Sequence, residues 1–231
     1  MKRGILLIPL PRPLQGKTIN QKNMRILSFS LKLILLALVA TFVVPGCKDD
    51  DDAKPDTATI HGTITLQNAS LWDTWKDSGD VELSLFGKFV QAAPPNGKGW
   101  GYIPEGLLYP GSPEGRYPLS APEFTDTVTY VQGQTQIHYE LEVTPGEYSA
   151  LAIGFRNNSV SNPSTKTATL GVHWDHPAEV SHGLLLKVDA GGQIMTIIDD
   201  PAPTVLTLEK GDNVEINFTA DFGFVEVWRF H

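Results

Sequence analysis

His173, Asp175, His176 and His182 carry most of the metal-binding chemistry that the sequence offers. Imidazole and carboxylate groups are ordinary ligands for zinc and similar ions, and here they crowd into one short stretch. On an extended strand His173 and Asp175 share a face while His176 points away, unless Pro177 marks a turn that brings it round. Three ligands across such a turn could close a site, so a metal ion is the one cofactor these residues admit. The spacing matches no strong zinc motif. The competing reading is a set of polar loop residues beside a conformational break.

A second chemistry is stacking. Trp72, Trp75, Trp100 and Tyr102 fall in two segments expected to be loops that could meet at one end of the fold. Exposed rings in that arrangement stack on sugars or grip peptides. Folded inward, the same rings would plug the end of a core, because large aromatics are mostly buried.

Nucleophile and phosphate motifs are missing. The sequence has no Gly-x-Ser-x-Gly, no His-Glu-x-x-His and no glycine loop that cradles phosphate. Asp199-Asp200 and the pair Glu140 and Glu142 decide nothing, since acid–base pairs are defined by their separation in space. Asn68-Ala69-Ser70 and Asn217-Phe218-Thr219 fit the glycosylation sequon and are read as chance. The expectation is a protein that is not an enzyme. The alternative is a metal-dependent or carbohydrate-active enzyme or binder using His173–His182 or the aromatic loops.

The elements that must position these residues are strands. Tyr139, Leu141 and Val143 alternate with Glu140, Glu142 and Thr144, the period-two pattern of a strand with one buried face. Pro145-Gly146 stops that strand, with glycine expected to supply a positive φ at a tight corner. Alternation resumes from Tyr148 and predicts a strand to Phe155. Thr59 to Leu66 alternates with Ile60, Ile64 and Leu66 on the core face and His61 opposite, among the threonines. Leu71 to Trp75 reads as a loop or a short turn of helix. Further strands are predicted over 81–85, 127–131, 136–143, 167–173, 184–188, 193–198, 204–208 and 214–220. Asp189-Ala190-Gly191-Gly192 is a hairpin turn signal. A terminal strand is predicted over 222–230. Residues 91–125, dense in glycine and proline, predict a long loop insertion whose aromatics argue against disorder. The fold class that follows is all-β: an Ig-like or prealbumin-like antiparallel β-sandwich with a loop insertion.

The first 46 residues are different in kind. They hold seven of the chain's 18 basic residues and no acidic ones, and an apolar run from Leu33 to Val44 leads into Pro45-Gly46-Cys47. A basic region, a short apolar region and a small residue before the cleavage point predict a secretory signal peptide over 1–46. A run of twelve residues, eleven of them apolar, falls short of the roughly 20 that a spanning helix needs, although a retained N-terminal anchor is the alternative. Met24-Arg25 would be a more ordinary start. Without the leader, 11 basic residues face 26 acidic ones over 47–231, a net charge of −15. That field repels nucleic acid and anionic headgroups. The 185 residues left are enough for one domain, placed at 57–231, with a core that needs no disulfide.

Val44-Pro45-Gly46-Cys47 resembles a bacterial lipobox, in which the cysteine is lipidated and becomes the new N-terminus. Cys47 is the only cysteine, which fits a thiol given over to a thioether lipid, and more than one acyl chain on it would anchor stably. Lys48-Asp49-Asp50-Asp51-Asp52, within a tether over 47–56, looks like the acidic export signal of surface lipoproteins in Bacteroidota-type bacteria; a spacer on the periplasmic face is the other reading. The resemblance implies an outer-membrane address, with the membrane as partner through the lipid.

Within the domain a family resemblance can be stated. Ile60-His61-Gly62-Thr63-Ile64, Val81-x-Leu83-x-Leu85, Tyr139-x-Leu141-x-Val143-x-Pro145-Gly146-x-Tyr148-x-Ala150 and Gly211-x-x-Val214-x-Ile216-x-Phe218 follow in order. The series looks like the carboxypeptidase-regulatory-like, or transthyretin-like, β-sandwich domains of bacterial surface proteins. It covers about half of the mature chain and carries no catalytic residues. It implies a binding, spacing or stabilising module with a protein or carbohydrate partner at the cell surface.

Overall fold

The structure, a computed structural model, describes residues 56–91, 99–119, 121–163 and 165–228. The leader, Cys47 and the acidic run lie outside the described residues, as do residues 92–98 of the expected insertion.

Alternation of apolar and polar residues gives β1 (Ala58–Gln67) one buried face, with Ile60 and Ile64 fully enclosed and His61 on the other side, as expected. A short helix, α1 (Ser70–Trp75), follows. Next come β2 (Gly79–Phe86), β3 (Trp100–Ile103), β4 (Gly115–Pro118), β5 (Phe124–Val128), β6 (Gln136–Val143), β7 (Gly146–Tyr148), β8 (Ala150–Asn157) and β9 (Thr167–Val172). The chain continues through β10 (Leu185–Asp189), β11 (Ile194–Asp199), β12 (Leu206–Leu208), β13 (Asn213–Glu215), β14 (Phe218–Asp221) and a last helical turn, α2 (Phe224–Val227).

The described chain is an all-β sandwich. Its first sheet is built on β1, with β6 antiparallel along one edge and β13 then β14 parallel along the other. The second sheet runs β5-β2-β8-β9, all antiparallel. Between them lies the main core, in which Ile60, Ile64, Leu83, Leu151, Ile153, Phe155, Phe218 and Phe222 are at most 2% exposed. Burying each such side chain is worth roughly 1.5–3 kcal/mol. The small pair β7-β12 closes one side of this core with Tyr148, Leu206 and Leu208.

A third sheet, β11-β10-β4-β3, covers the opposite face of the second. β8 shows why this is possible. Leu151, Ile153 and Phe155 fill the main core, while Ala150 and Ala152 face a second core with Phe86, Trp100, Ala168, Val172, Leu184 and Phe224. Large side chains on one face and alanines on the other let a layer pack on each side.

Four of the expected elements need correction. The stretch 91–125 is not a loop throughout: β3 and β4 form a hairpin in the third sheet, and glycine and proline had hidden their short alternations. The strand expected at 127–131 lies at Phe124–Val128, where it pairs with β2 from Leu85 to Val81. The strand expected over 214–220 is two pieces, and both run parallel to β1, so the first sheet is mixed. Finally, the described part of 222–230 turns helical at Phe224–Val227. A helical turn lets Phe222 and Val225 reach the main core and Phe224 the second, and the Asp221 carboxylate accepts the Gly223 N–H at 2.7 Å.

Pro145-Gly146 does form a corner, but it carries the chain from the first sheet (β6) to the second (β8) through β7. Tyr148, 2% exposed, donates its hydroxyl hydrogen back to the Thr144 carbonyl at 2.7 Å and fixes the crossing. Gly146 does not have the expected positive φ. The glycine that geometry requires is Gly62. An added Cβ there would lie 1.9 Å from the Ile216 carbonyl oxygen, and that oxygen also accepts the Tyr139 hydroxyl at 2.7 Å. Gly62→Ala is expected to lose about 3 kcal/mol or more, since backbone must move, while Gly146→Ala, with only the Tyr148 ring at 3.8 Å, stays within about 1 kcal/mol of the parent. Denaturant melts of the two variants check the contrast; equal losses would refute it.

Candidate functional site

The strand pattern that buries Ile60, Ile64 and Leu66 turns Thr63, Thr65 and Gln67 outward on β1. Beside them stand Gln136 of β6 and, across the other edge, Glu215, Asn217 and Thr219. Pro177 and Ala178 rise as a wall. Together these residues line an open groove of about 610 Å³, within the size range of small-molecule sites.

Hydrogen bonds hold its shape. At the break between β13 and β14, the Thr63 N–H donates to Asn217 Oδ1 at 2.8 Å, so a side-chain amide replaces a missing ladder partner. Asn217 Nδ2 donates to Glu215 Oε1 at 2.9 Å. Thr63 Oγ1 and His138 Nδ1 lie 3.0 Å apart. The wall is tied to the sheet where Thr219 Oγ1 donates to the Pro177 carbonyl at 2.8 Å and where Val180 bridges Thr219. The polar part of the lining is hydroxyl and amide, able to donate and accept at neighbouring points, and Phe218, Pro177 and Ala178 add apolar surface beside it. Its one carboxylate is Glu215, where cleavage of a glycosidic bond ordinarily uses two.

The sequence pointed elsewhere. His173, Asp175, His176 and His182 are not assembled: among the described residues no group of three or more His, Cys, Asp or Glu is placed to hold a metal ion. The His173 ring packs toward Phe218 of the main core, at 6.5 Å between centroids. His182 stacks on Phe224 of the second core at 3.8 Å, with Nδ1 2.7 Å from the Thr169 carbonyl. Asp175 accepts the Thr204 hydroxyl at 3.0 Å, and exposed His176 sets its ring edge against Trp174. Nearness in sequence is undone by turns that send the two inner imidazoles into different cores. What the segment does contribute is the wall of the groove.

The four aromatics do not converge either. Trp72 is 3% exposed and lies between Tyr130 and Phe222, with Trp75 against Phe155. Trp100, 1% exposed, is in the second core and donates its indole N–H to the Gly183 carbonyl at 3.0 Å. Half-buried Tyr102 donates to Glu114, which also meets Lys187 at 2.6 Å. These hydrogen bonds hold the Glu114 carboxyl below its ordinary range and raise Lys187 and Tyr102. The three tryptophans are plugs in two separate cores, and Tyr102 belongs to neither. The signal for the groove was in the threonines opposite Ile60 and Ile64, whose regular spacing marks a flat polar face.

No family model, curated protein or solved structure matches this chain.

Burial holds both inner histidines below the ordinary value of 6.5. The unfolded chain therefore binds protons below pH 6.5 that the folded chain refuses, so stability falls as pH drops through that value. For His182 the slope approaches about 1.4 kcal/mol per pH unit at most, or roughly 3–5 °C in Tm. Thermal melts from pH 7.5 to 5 are expected to show this decline, and His173→Gln/His182→Gln to flatten it. An unchanged slope in the double variant would show that other groups set it.

Proposed function

We propose that this protein is a non-enzymatic, lipid-anchored β-sandwich of the bacterial outer envelope that serves as a ligand-binding module. The single observation that carries the binding role is the groove of threonine, glutamine and asparagine side chains over the first sheet. Its chemistry suits a neutral, hydroxyl-rich ligand such as a saccharide chain, because hydroxyl and amide groups both donate and accept and can replace the water bonds of sugar hydroxyls with paired ones. The acidic balance of the chain after Cys47 fits the same choice by disfavouring anionic ligands.

Support for the anchor comes from the sequence. The basic region, the apolar run and the lipobox-like Val44-Pro45-Gly46-Cys47 lead directly into an acidic tether and then into β1. The order of motifs that resembles carboxypeptidase-regulatory-like domains supports an accessory role on the cell surface or the periplasmic face. Among the described residues no helix is long and apolar enough to cross a membrane; in this reading the lipid on Cys47 is the attachment.

Two experiments test the two halves. Cys47→Ala is expected to move the protein from the membrane fraction to the soluble fraction, and continued membrane retention would refute lipidation at that residue. For the groove, an array of neutral polysaccharides probed with the full chain is expected to give at least one ligand. Its affinity should fall about tenfold or more in Gln67→Ala/Gln136→Ala, the equivalent of about 1.4 kcal/mol. An array without any ligand, or binding that is undiminished in the double variant, removes the groove as the site.

A further inference from the structure

Hydrogen bonds already made inside the groove fix what it has left to offer a ligand. The Asn217 amide cannot turn over, because its Oδ1 accepts the Thr63 N–H at 2.8 Å and its Nδ2 donates to Glu215 Oε1 at 2.9 Å. One hydrogen of Nδ2 is left, so Asn217 is a donor. Two residues on, Thr219 gives its hydroxyl hydrogen to the Pro177 carbonyl at 2.8 Å, which leaves its oxygen as an acceptor. Glu215, on the other side of Asn217, offers carboxylate oxygens, which accept. The order along the groove is therefore acceptor, donor, acceptor, and the Thr219 end is tied to the exposed Pro177-Ala178 wall.

Plain sugar hydroxyls gain nothing from a fixed order, since a hydroxyl rotates to donate or accept as its partner requires. An amide is different. Its N–H and C=O are fixed in kind and, in the trans form, point opposite ways. Asn217 and Thr219 stand about 7 Å apart along an extended chain, a span that a trans amide bridges with one hydrogen bond at each end. With its C=O toward Asn217 and its N–H toward Thr219, an acetamido group has its methyl on the N–H side, where Pro177 and Ala178 supply carbon surface. A peptide also carries amides, but peptides add to a sheet edge or seat side chains in apolar pockets. This groove crosses a sheet face, over a strand whose two edges are both paired.

We propose that the groove selects N-acetylated saccharides, with Asn217 and Thr219 reading the acetamido group and Pro177 and Ala178 seating its methyl. This selectivity rests on the groove being the saccharide site and adds the class of sugar. The acetamido group is uncharged, as the acidic surroundings of the groove favour over an anionic substituent.

Chitin oligomers and cellulose oligomers of equal length share a backbone and linkage and differ at one position of each ring, acetamido in the first and hydroxyl in the second. Calorimetric titration of both into the full chain is expected to show the chitin oligomers bound about tenfold or more tightly. In Glu215→Gln/Asn217→Asp the pair keeps its hydrogen bond and its total charge with donor and acceptor exchanged, and the new carboxylate still accepts the Thr63 N–H. The ratio of the two affinities is then expected to fall to about one, with an unchanged circular dichroism spectrum. Equal affinity of the parent for the two oligomers, a ratio unmoved by the exchange, or an array ligand without acetamido groups that binds more tightly than chitin overturns the selectivity while the groove stands as a saccharide site. Tighter binding of deacetylated chitin oligomers would show an ammonium drawn to Glu215 and overturns it too. Failure of every oligomer and of the whole polysaccharide array removes the groove itself.

Discussion

Space that a side chain at position 62 would occupy is taken by the carbonyl of Ile216, and much of the first sheet follows from that contact. β1 is paired along both edges, yet its parallel partner is split into β13 and β14. The split falls where Ile216 and Asn217 leave the ladder. Around it the Ile216 N–H donates to the His61 carbonyl, the Ile216 carbonyl accepts Tyr139, and the Asn217 amide accepts the Thr63 N–H. Burial raises the Tyr139 phenol well above its ordinary value, so it stays a hydrogen donor. Bringing β6, β1 and the C-terminal strands together in this way is what lays threonines, glutamine and asparagine side by side over one face.

The second sheet has a different task. It is covered on both faces, and β8 meets that demand with size alternation in place of polarity alternation. Leucine, isoleucine and phenylalanine look toward the first sheet; alanines look toward the third. The corner held by Tyr148 and Thr144 delivers the chain onto this strand in the correct phase, since a slip of one residue would turn the large side chains to the wrong layer. The outermost layer, with its β3-β4 hairpin and the β10-β11 hairpin turned at Gly191 and Gly192, then needs only to bring Trp100 and Leu184 to the alanine face.

How far the sequence revealed this depends on what each strand buries. β1, β2, β6 and β9 were plain because a regular run of buried side chains leaves a regular mark. β3 and β4 are four residues each, with glycine in both and proline ending one, and so short a strand has too few positions to display a period. The helical turn at Phe224 escaped because adjacent apolar residues read as strand unless it is known that two cores lie on either side. The candidate sites failed for a related reason. Neighbours in sequence such as His173 and His176, or rings in successive loops such as Trp75 and Trp100, become neighbours in space only through turns whose direction is a property of the whole fold. The groove escaped notice because its residues are common and spread from Thr63 to Thr219; only the outward threonines of β1 hinted at it.

A strand near the beginning of the domain that depends on strands near its end sets a rule for how the molecule comes into being. β1 gains β6 when about three-fifths of the chain has appeared, but its other edge stays open until Asp221 has been delivered. Contacts this distant in sequence form late and slowly. A chain presented N-terminus first would therefore remain pliable through most of its passage from ribosome to final address, and its last few strands act as the latch that ends that pliability.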